Sequence, residues 1–178
     1  MKKKIFIGVG ITIVIILILI LTCFLSFRNS ARYGAYQLSL AAKYQKPELA
    51  LEYYNIDKLV ENTLMRASAE IDSNDSFLAM MQMGLISQLK ESLPIQYKQQ
   101  LTEEYSKKDE KLLQMSDLKI FYYAYINKPL TAEMLKTEKL SRNKVKQSFC
   151  NSQGHKCYNR TWEKTYNAWK VTDIEITD

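Results

Sequence analysis

The chain has 178 residues, 47% of them hydrophobic, with 25 basic against 19 acidic side chains, a net of +6, and three cysteines. Gly and Pro together number only eight, which excludes a long disordered tract and predicts one folded core with at most an accessory segment. Acids interleave with bases, as in EEYSKKDEK (103–111), so the charge reads as a solvated face and not as a nucleic-acid footprint.

Lys2, Lys3 and Lys4 precede an uncharged run of 23 residues, IFIGVGITIVIILILILTCFLSF (5–27). As a helix it covers about 34 Å, enough to cross a hydrocarbon core of about 30 Å. A cleaved signal peptide has a shorter apolar region and a small-residue exit, whereas Phe24, Leu25 and Phe27 crowd this one. A lipoprotein would acylate Cys23, but Ile20-Leu21-Thr22 is a poor approach to it. The run therefore reads as an uncleaved anchor (1–28), in contact with the lipid bilayer through residues 5–27. The three lysines before it outnumber Arg28 and Arg32 after it, which favours a cytoplasmic N-terminus. The domain 29–178 then lies outside the cytoplasm. Without the anchor lysines, 22 basic and 19 acidic residues leave a net of +3.

Beyond the span, residues 30–46 predict a helix, with Tyr33, Tyr36, Leu40 and Tyr44 at helical spacing and Pro47 as its breaker. A second helix is predicted over 56–71, with Asn55 as N-cap. SNDS (73–76) reads as a turn whose Asp75 or Ser76 caps the next helix. That third helix, 77–93, is apolar over more than one face and carries Met80, Met81 and Met83. Burial between other helices is the plainer expectation; a methionine-rich binding surface is the alternative. Pro94 is expected to end it, with a charged helix following to about Lys108.

From Asp117 the pattern alternates in DLKIFYYAYI (117–126), which predicts a strand. Residues 129–140 read as a short helix or loop. Three further strands are predicted near 143–150, 157–166 and 168–177. The expected fold is therefore α+β: an N-terminal transmembrane helix, several helices, then an antiparallel meander of about four strands.

CNSQGHKC (150–157) holds two of the three cysteines and the sole histidine. Pairing Cys150 with Cys157 can be checked on its neighbours. Val145 then meets Trp162 and Phe149 meets Tyr158 on one face. Ser148 meets Asn159, Lys146 meets Thr161 and Lys144 meets Glu163 on the other. One face is apolar, the other polar, and Gly154 serves the loop. Opposed cysteines outside the cytoplasm oxidise, so a structural disulfide is expected, worth about 2–3 kcal/mol. Three potential ligands at unusual spacing make a poor zinc site, and the C-x-x-C spacing of redox sites is missing. The same register puts Gln147 opposite Arg160 on the core face. Arg160 either snorkels at the sheet edge or marks a polar, anion-binding spot inside a cavity. In the last strand Trp169 and Val171 share a parity that Ile174 and Ile176 do not, which predicts a bulge near Thr172-Asp173.

The sequence shows no G-x-S-x-G, no H-E-x-x-H and no P-loop. GVG at 8–10 lies in the span, and Glu103-Glu104 sit on a charged helix with no evident chemical partner. No catalytic residue, metal or cofactor is expected.

Three phrases stand together after the anchor: SARYGAYQLSLAAKYQKPELALEYYNIDKLVENTL (30–64), SFLAMMQMGLISQL (76–89) and AWKVTDIEI (168–176). They resemble the bacterial family called domain of unknown function 2939, whose members are membrane-anchored or exported. The resemblance implies a single-pass protein of the bacterial inner membrane with a periplasmic domain. It brings no catalytic residues. The helix-then-meander order also looks like the nuclear-transport-factor-2/cystatin-like superfold, an analogy of fold alone. Two functions are expected from different classes. One is docking of another envelope protein or of a second copy, through the methionine helix and exposed aromatics. The other is a binding module for a small apolar or anionic ligand, with Tyr122, Trp162 and Arg160 at its wall.

Overall fold

The computed structural model describes residues 2–69, 76–126, 134–150, 157–166 and 168–177. Helices come first and a four-stranded antiparallel sheet follows in the order β1-β2-β3-β4, an α+β architecture as expected. Helix α1 (Lys2–Arg28) holds the apolar run. Its stretch Ile11–Arg28 is long and apolar enough to cross a membrane, and large aliphatic side chains from Ile11 to Leu21 are exposed. That is compatible with a single-pass anchor; a signal sequence has the same character.

Helix α2 (Ala31–Lys43) buries Ala31, Gly34, Leu38 and Ala41. The buried face is thus the one with small residues, while Tyr44 of the predicted tyrosine row stands exposed. The helix stops because Gln45 turns to positive φ (54°). Lys46 N–H then donates to Ala41 O at 2.8 Å, and Gln45 N–H to Ala42 O at 3.3 Å. This is the Schellman closure that precedes a proline. Pro47 opens α3 (Pro47–Leu51) at a position where its missing N–H costs nothing. The next turn pairs with the sheet: Val171 N–H donates to Tyr53 O (2.8 Å) and Asn55 N–H to Val171 O (2.9 Å). Asn55 then caps α4 (Ile56–Ala69), its Oδ1 accepting from Lys58 N–H at 3.2 Å, as the sequence predicts.

Helix α5 (Ser76–Ser106) runs unbroken through Pro94, where the sequence predicts a stop. Proline removes one intrahelical bond and crowds the preceding turn. Beyond it Leu101 and Tyr105 are buried in the main core, and Tyr97 packs against that core. That packing holds the helix together across the defect. After α6 (Glu110–Leu113), the segment predicted as a strand is helix α7 (Asp117–Tyr125). Ser116 caps it, its Oγ accepting from Lys119 N–H at 3.2 Å. Lys43 and Tyr44 hold Asp117 at 2.6 Å each, and Arg32 donates to Tyr125 O at 3.1 Å. Both ends of α7 are thereby fixed along α2. These tertiary contacts override the β-propensity of its tyrosines.

The fourth strand lies elsewhere. Strand β1 (Met134–Ser141) forms in the stretch read as helix or loop and pairs with β2 (Lys144–Cys150). It is an edge strand carrying Glu138 and Lys139, charges that discourage further pairing. Between β2 and β3 (Cys157–Thr165) the register is the one the sequence predicts, from Lys144↔Glu163 to Cys150↔Cys157. Strand β4 (Ala168–Thr177) meets β3 with a shift: Trp162 pairs with Val171 but Thr161 with Asp173. Thr172 is the extra residue, where the bulge was expected. It is buried, and its carbonyl accepts from Asn62 Nδ2 at 2.8 Å.

Candidate functional site

Trp162 sits at the centre of the sheet, fully buried. Its Nε1 donates to Gln147 Oε1 at 2.6 Å, so the indole N–H and the amide oxygen satisfy each other inside the core. Helix α2 covers the indole with Gly34: a Cβ there would lie 2.4 Å from Trp162 Cζ3. The helix approaches closely because this residue has no side chain. Gly34 was missed in the sequence; a glycine inside a helical pattern, at a cost of about 1 kcal/mol against Ala, was its signal.

Arg160 lies beside this pair, on an inner strand, and is buried instead of snorkelling from an edge. Its guanidinium carbon is 5.8 Å from the Tyr54 ring centroid and 5.5 Å from that of Tyr158. Tyr54 Oη meets Tyr105 Oη at 3.1 Å. Burial disfavours the guanidinium charge, but the Tyr54, Tyr158 and Tyr105 hydroxyls outweigh it and hold the pKa well above its ordinary value. Burial likewise pushes the Tyr54 and Tyr105 hydroxyls up, with Arg160 pulling both back. The node is thus a buried cation held between the ring faces of Tyr54 and Tyr158. Tyr54, in the turn between α3 and α4, and Tyr105, on α5, lie far from Arg160 in the chain, and no local pattern links the three.

Tyr122 does not join this group. It sits on α7, exposed, while Trp162 is enclosed. The three residues proposed for one pocket wall are therefore divided between core and surface. Cys150 and Cys157 are directly paired backbone positions at the end of the β2–β3 hairpin. Their side chains, the loop 151–156 with His155, and the turn residues 73–75 lie outside the described residues.

The methionine helix behaves differently from the burial expected for it. The bond between Tyr54 and Tyr105 and that between Thr63 Oγ1 and Tyr97 Oη (2.7 Å) show α4 and α5 running antiparallel. Continuing that alignment brings Ala69, the end of α4, level with about residue 91 of α5. The turns from Ser76 onward project about 22 Å further. On this arm Met80, Met81, Leu85 and Leu89 are 70, 54, 58 and 42% exposed. Met81, Leu85 and Leu89 fall at i, i+4 and i+8 on one face, and a Cβ on Gly84 would meet nothing within 4 Å. The Met83 side chain lies outside the described residues. The arm also points away from the anchor. Trp169 Nε1 donates to Asn29 O (2.7 Å), fixing the start of β4 at the end of α1. Helix α4 then advances along β4, from Asn55 at Val171 to Arg66 at Asp173 (2.7 Å).

No family model matches the chain, and neither a curated protein nor a solved structure matches it. Among the described residues, no group of three or more His, Cys, Asp or Glu could hold a metal ion.

Proposed function

We propose that this is a single-pass, membrane-anchored docking domain, non-catalytic, that presents the α5 arm to an apolar helix of another envelope protein or of a second copy. The observation that carries the reading is the exposed row Met81, Leu85 and Leu89 on a helix extending beyond its partner helix. Isolated exposed apolar residues are ordinary; a contiguous row at helical spacing is the signature of helix-in-groove or helix–helix recognition. Methionines at its edge give the adaptable surface such contacts use. The lysine excess before α1 favours the domain outside the cytoplasm, and the opposed positions of Cys150 and Cys157 suit an oxidising compartment. Membrane anchoring or export is also what the resemblance to domain of unknown function 2939 implies.

The test is photo-crosslinking in intact cells, with a photoreactive residue at Met81, Leu85 or Leu89 and a control at Glu91. Adducts from the apolar row and none from Glu91 are expected. The adduct mass separates a second copy from a different protein. Absence of adducts from all three row positions, in protein verified as membrane-inserted, would sink the reading.

A further inference from the structure

The end of the sheet nearest the anchor has a character of its own. Phe27, near the end of α1, is buried in a cluster of aromatic rings: Tyr33 at 5.8 Å, Phe121 at 5.1 Å and Tyr125 at 5.4 Å between centroids. Only Asn29 and Ser30 separate α1 from α2. With the Trp169 bond to Asn29 O, the domain is fixed to the end of α1 by two separate contacts. It does not hang from a slack linker.

Both turns of the meander at this end meet there. Lys164 N–H donates to Asn143 O at 2.8 Å, which sets the β1–β2 turn beside β3. Tyr166, in the β3–β4 turn three residues before Trp169, is fully exposed and holds a positive φ of 50°. A bulky residue in that conformation carries a cost that glycine or asparagine would avoid, and here its ring packs on no part of the domain. Arg142, Lys144, Lys164 and Lys170 lie in or beside the two turns, and Arg28 immediately precedes Asn29, whose carbonyl Trp169 holds. Of the carboxylates at this end, Glu163 is in an ion pair with Lys58 at 3.0 Å, and Glu52 shares the surroundings of the Tyr53 hydroxyl with Arg28.

These observations share one geometric consequence. If α1 crosses the hydrocarbon as far as Phe27, then Asn29 and whatever touches it lie in the headgroup layer, which adds about 5–7 Å on each side. Tyrosine and tryptophan favour that layer, and clustered basic residues favour anionic headgroups.

We propose that the sheet end bearing Arg142 and Tyr166 rests in the headgroup layer of the bilayer that α1 enters, with Tyr166 at the lipid–water boundary and the basic side chains on anionic phospholipid phosphates. This rests on the reading of α1 as a membrane span. Such a footing fixes the tilt of the domain, and it leaves the α5 arm directed away from the bilayer, where a protein partner can reach it.

The full-length protein is reconstituted in phosphatidylcholine vesicles, with and without phosphatidylglycerol, as Tyr166→Trp and, for reference, Leu85→Trp. Emission of the added tryptophan is read as the difference from the unsubstituted protein, with lipids brominated near the headgroup and with aqueous iodide. The expected result is loss of Tyr166→Trp emission to the bromolipid and protection from iodide, both stronger with phosphatidylglycerol. Leu85→Trp is expected to show the reverse. Adding Arg142→Glu and Lys164→Glu to Tyr166→Trp should abolish the phosphatidylglycerol dependence. Flotation after alkaline extraction separates the two layers of the argument. Protein that fails to float overturns the anchor and the footing with it. If the Tyr166→Trp protein floats while its added emission responds to iodide and not to bromolipid, the footing alone is overturned.

Discussion

Replacing Gly34 by Ala probes how the helical layer sits on the sheet. The added Cβ would lie 2.4, 2.8 and 3.2 Å from Cζ3, Cη2 and Cε3 of Trp162. Carbon pairs are comfortable at about 3.5–4.0 Å, so α2 and the indole must part by roughly 1 Å. Neither moves freely. The ring is fully buried and bonded to Gln147, and α2 is seated by Ala31, Leu38 and Ala41. Overpacking costs about 1–3 kcal/mol, and three ring atoms in overlap place this site at the upper end. If the indole swings away instead, Gln147 is left buried without its donor at about 1–3 kcal/mol. Better helix propensity returns about 1 kcal/mol. The net is a destabilisation of about 2 kcal/mol, a fall of about 1 M in the urea midpoint. The assay is urea unfolding of the detergent-solubilised full chain, followed by circular dichroism. In a Trp162→Leu background the same change should be neutral or stabilising, a coupling that isolates the contact. A Gly34→Ala midpoint that rises or stays level in the unsubstituted background would refute the close approach.

Two further outcomes follow from the sheet and the α2–α7 contact. Thiol labelling of the native, membrane-embedded protein should leave Cys150 and Cys157 unmodified until reduction, and mass mapping should join them; free, reactive thiols at both positions would invert the assigned topology. Hydrogen bonds from Lys43 and Tyr44 hold the Asp117 carboxyl below its ordinary 3.8, and the bond to Asp117 holds the Lys43 ammonium above its ordinary 10.5. A depressed carboxyl stabilises the fold above 3.8 and loses that contribution as pH falls through its lower folded value. A raised ammonium does the opposite, losing its contribution as pH climbs beyond 10.5. Asp117→Asn should therefore lower the urea midpoint at neutral pH, and the gap to the unsubstituted protein should close in acid. A gap that persists unchanged into acid would refute the assignment.

Legibility in the sequence tracked how local each cause was. Strand alternation with period two, tested across seven residue pairs, determined the β2–β3 register, because a slip by one residue exchanges the faces. The parity change between Val171 and Ile174 determined the bulge at Thr172 for the same reason. Asn55 ahead of an apolar stripe determined the start of α4, since a cap acts within one turn. The long apolar helix of α1 needed only length and composition.

The rest was decided by groups distant in the chain. Residues 117–125 alternate as a strand would, yet Lys43 and Arg32 on α2 hold their two ends as a helix. Pro94 carries a local stop signal, and the packing of Tyr97, Leu101 and Tyr105 on the core overrules it. Strand β1 has almost no apolar pattern of its own and forms because β2 offers it an open edge. The candidate surfaces divide in the same way. That Met81, Leu85 and Leu89 share a face is written in their spacing. Whether that face is covered depends on where α4 ends alongside it, and only the packed structure decides that. The basic turns at Arg142 and Tyr166 lie far from Arg28 in sequence, and the meander brings them to the same end of the domain. Spacing within one element is a local property of the chain, whereas adjacency between elements is set by the energy of burying their faces together.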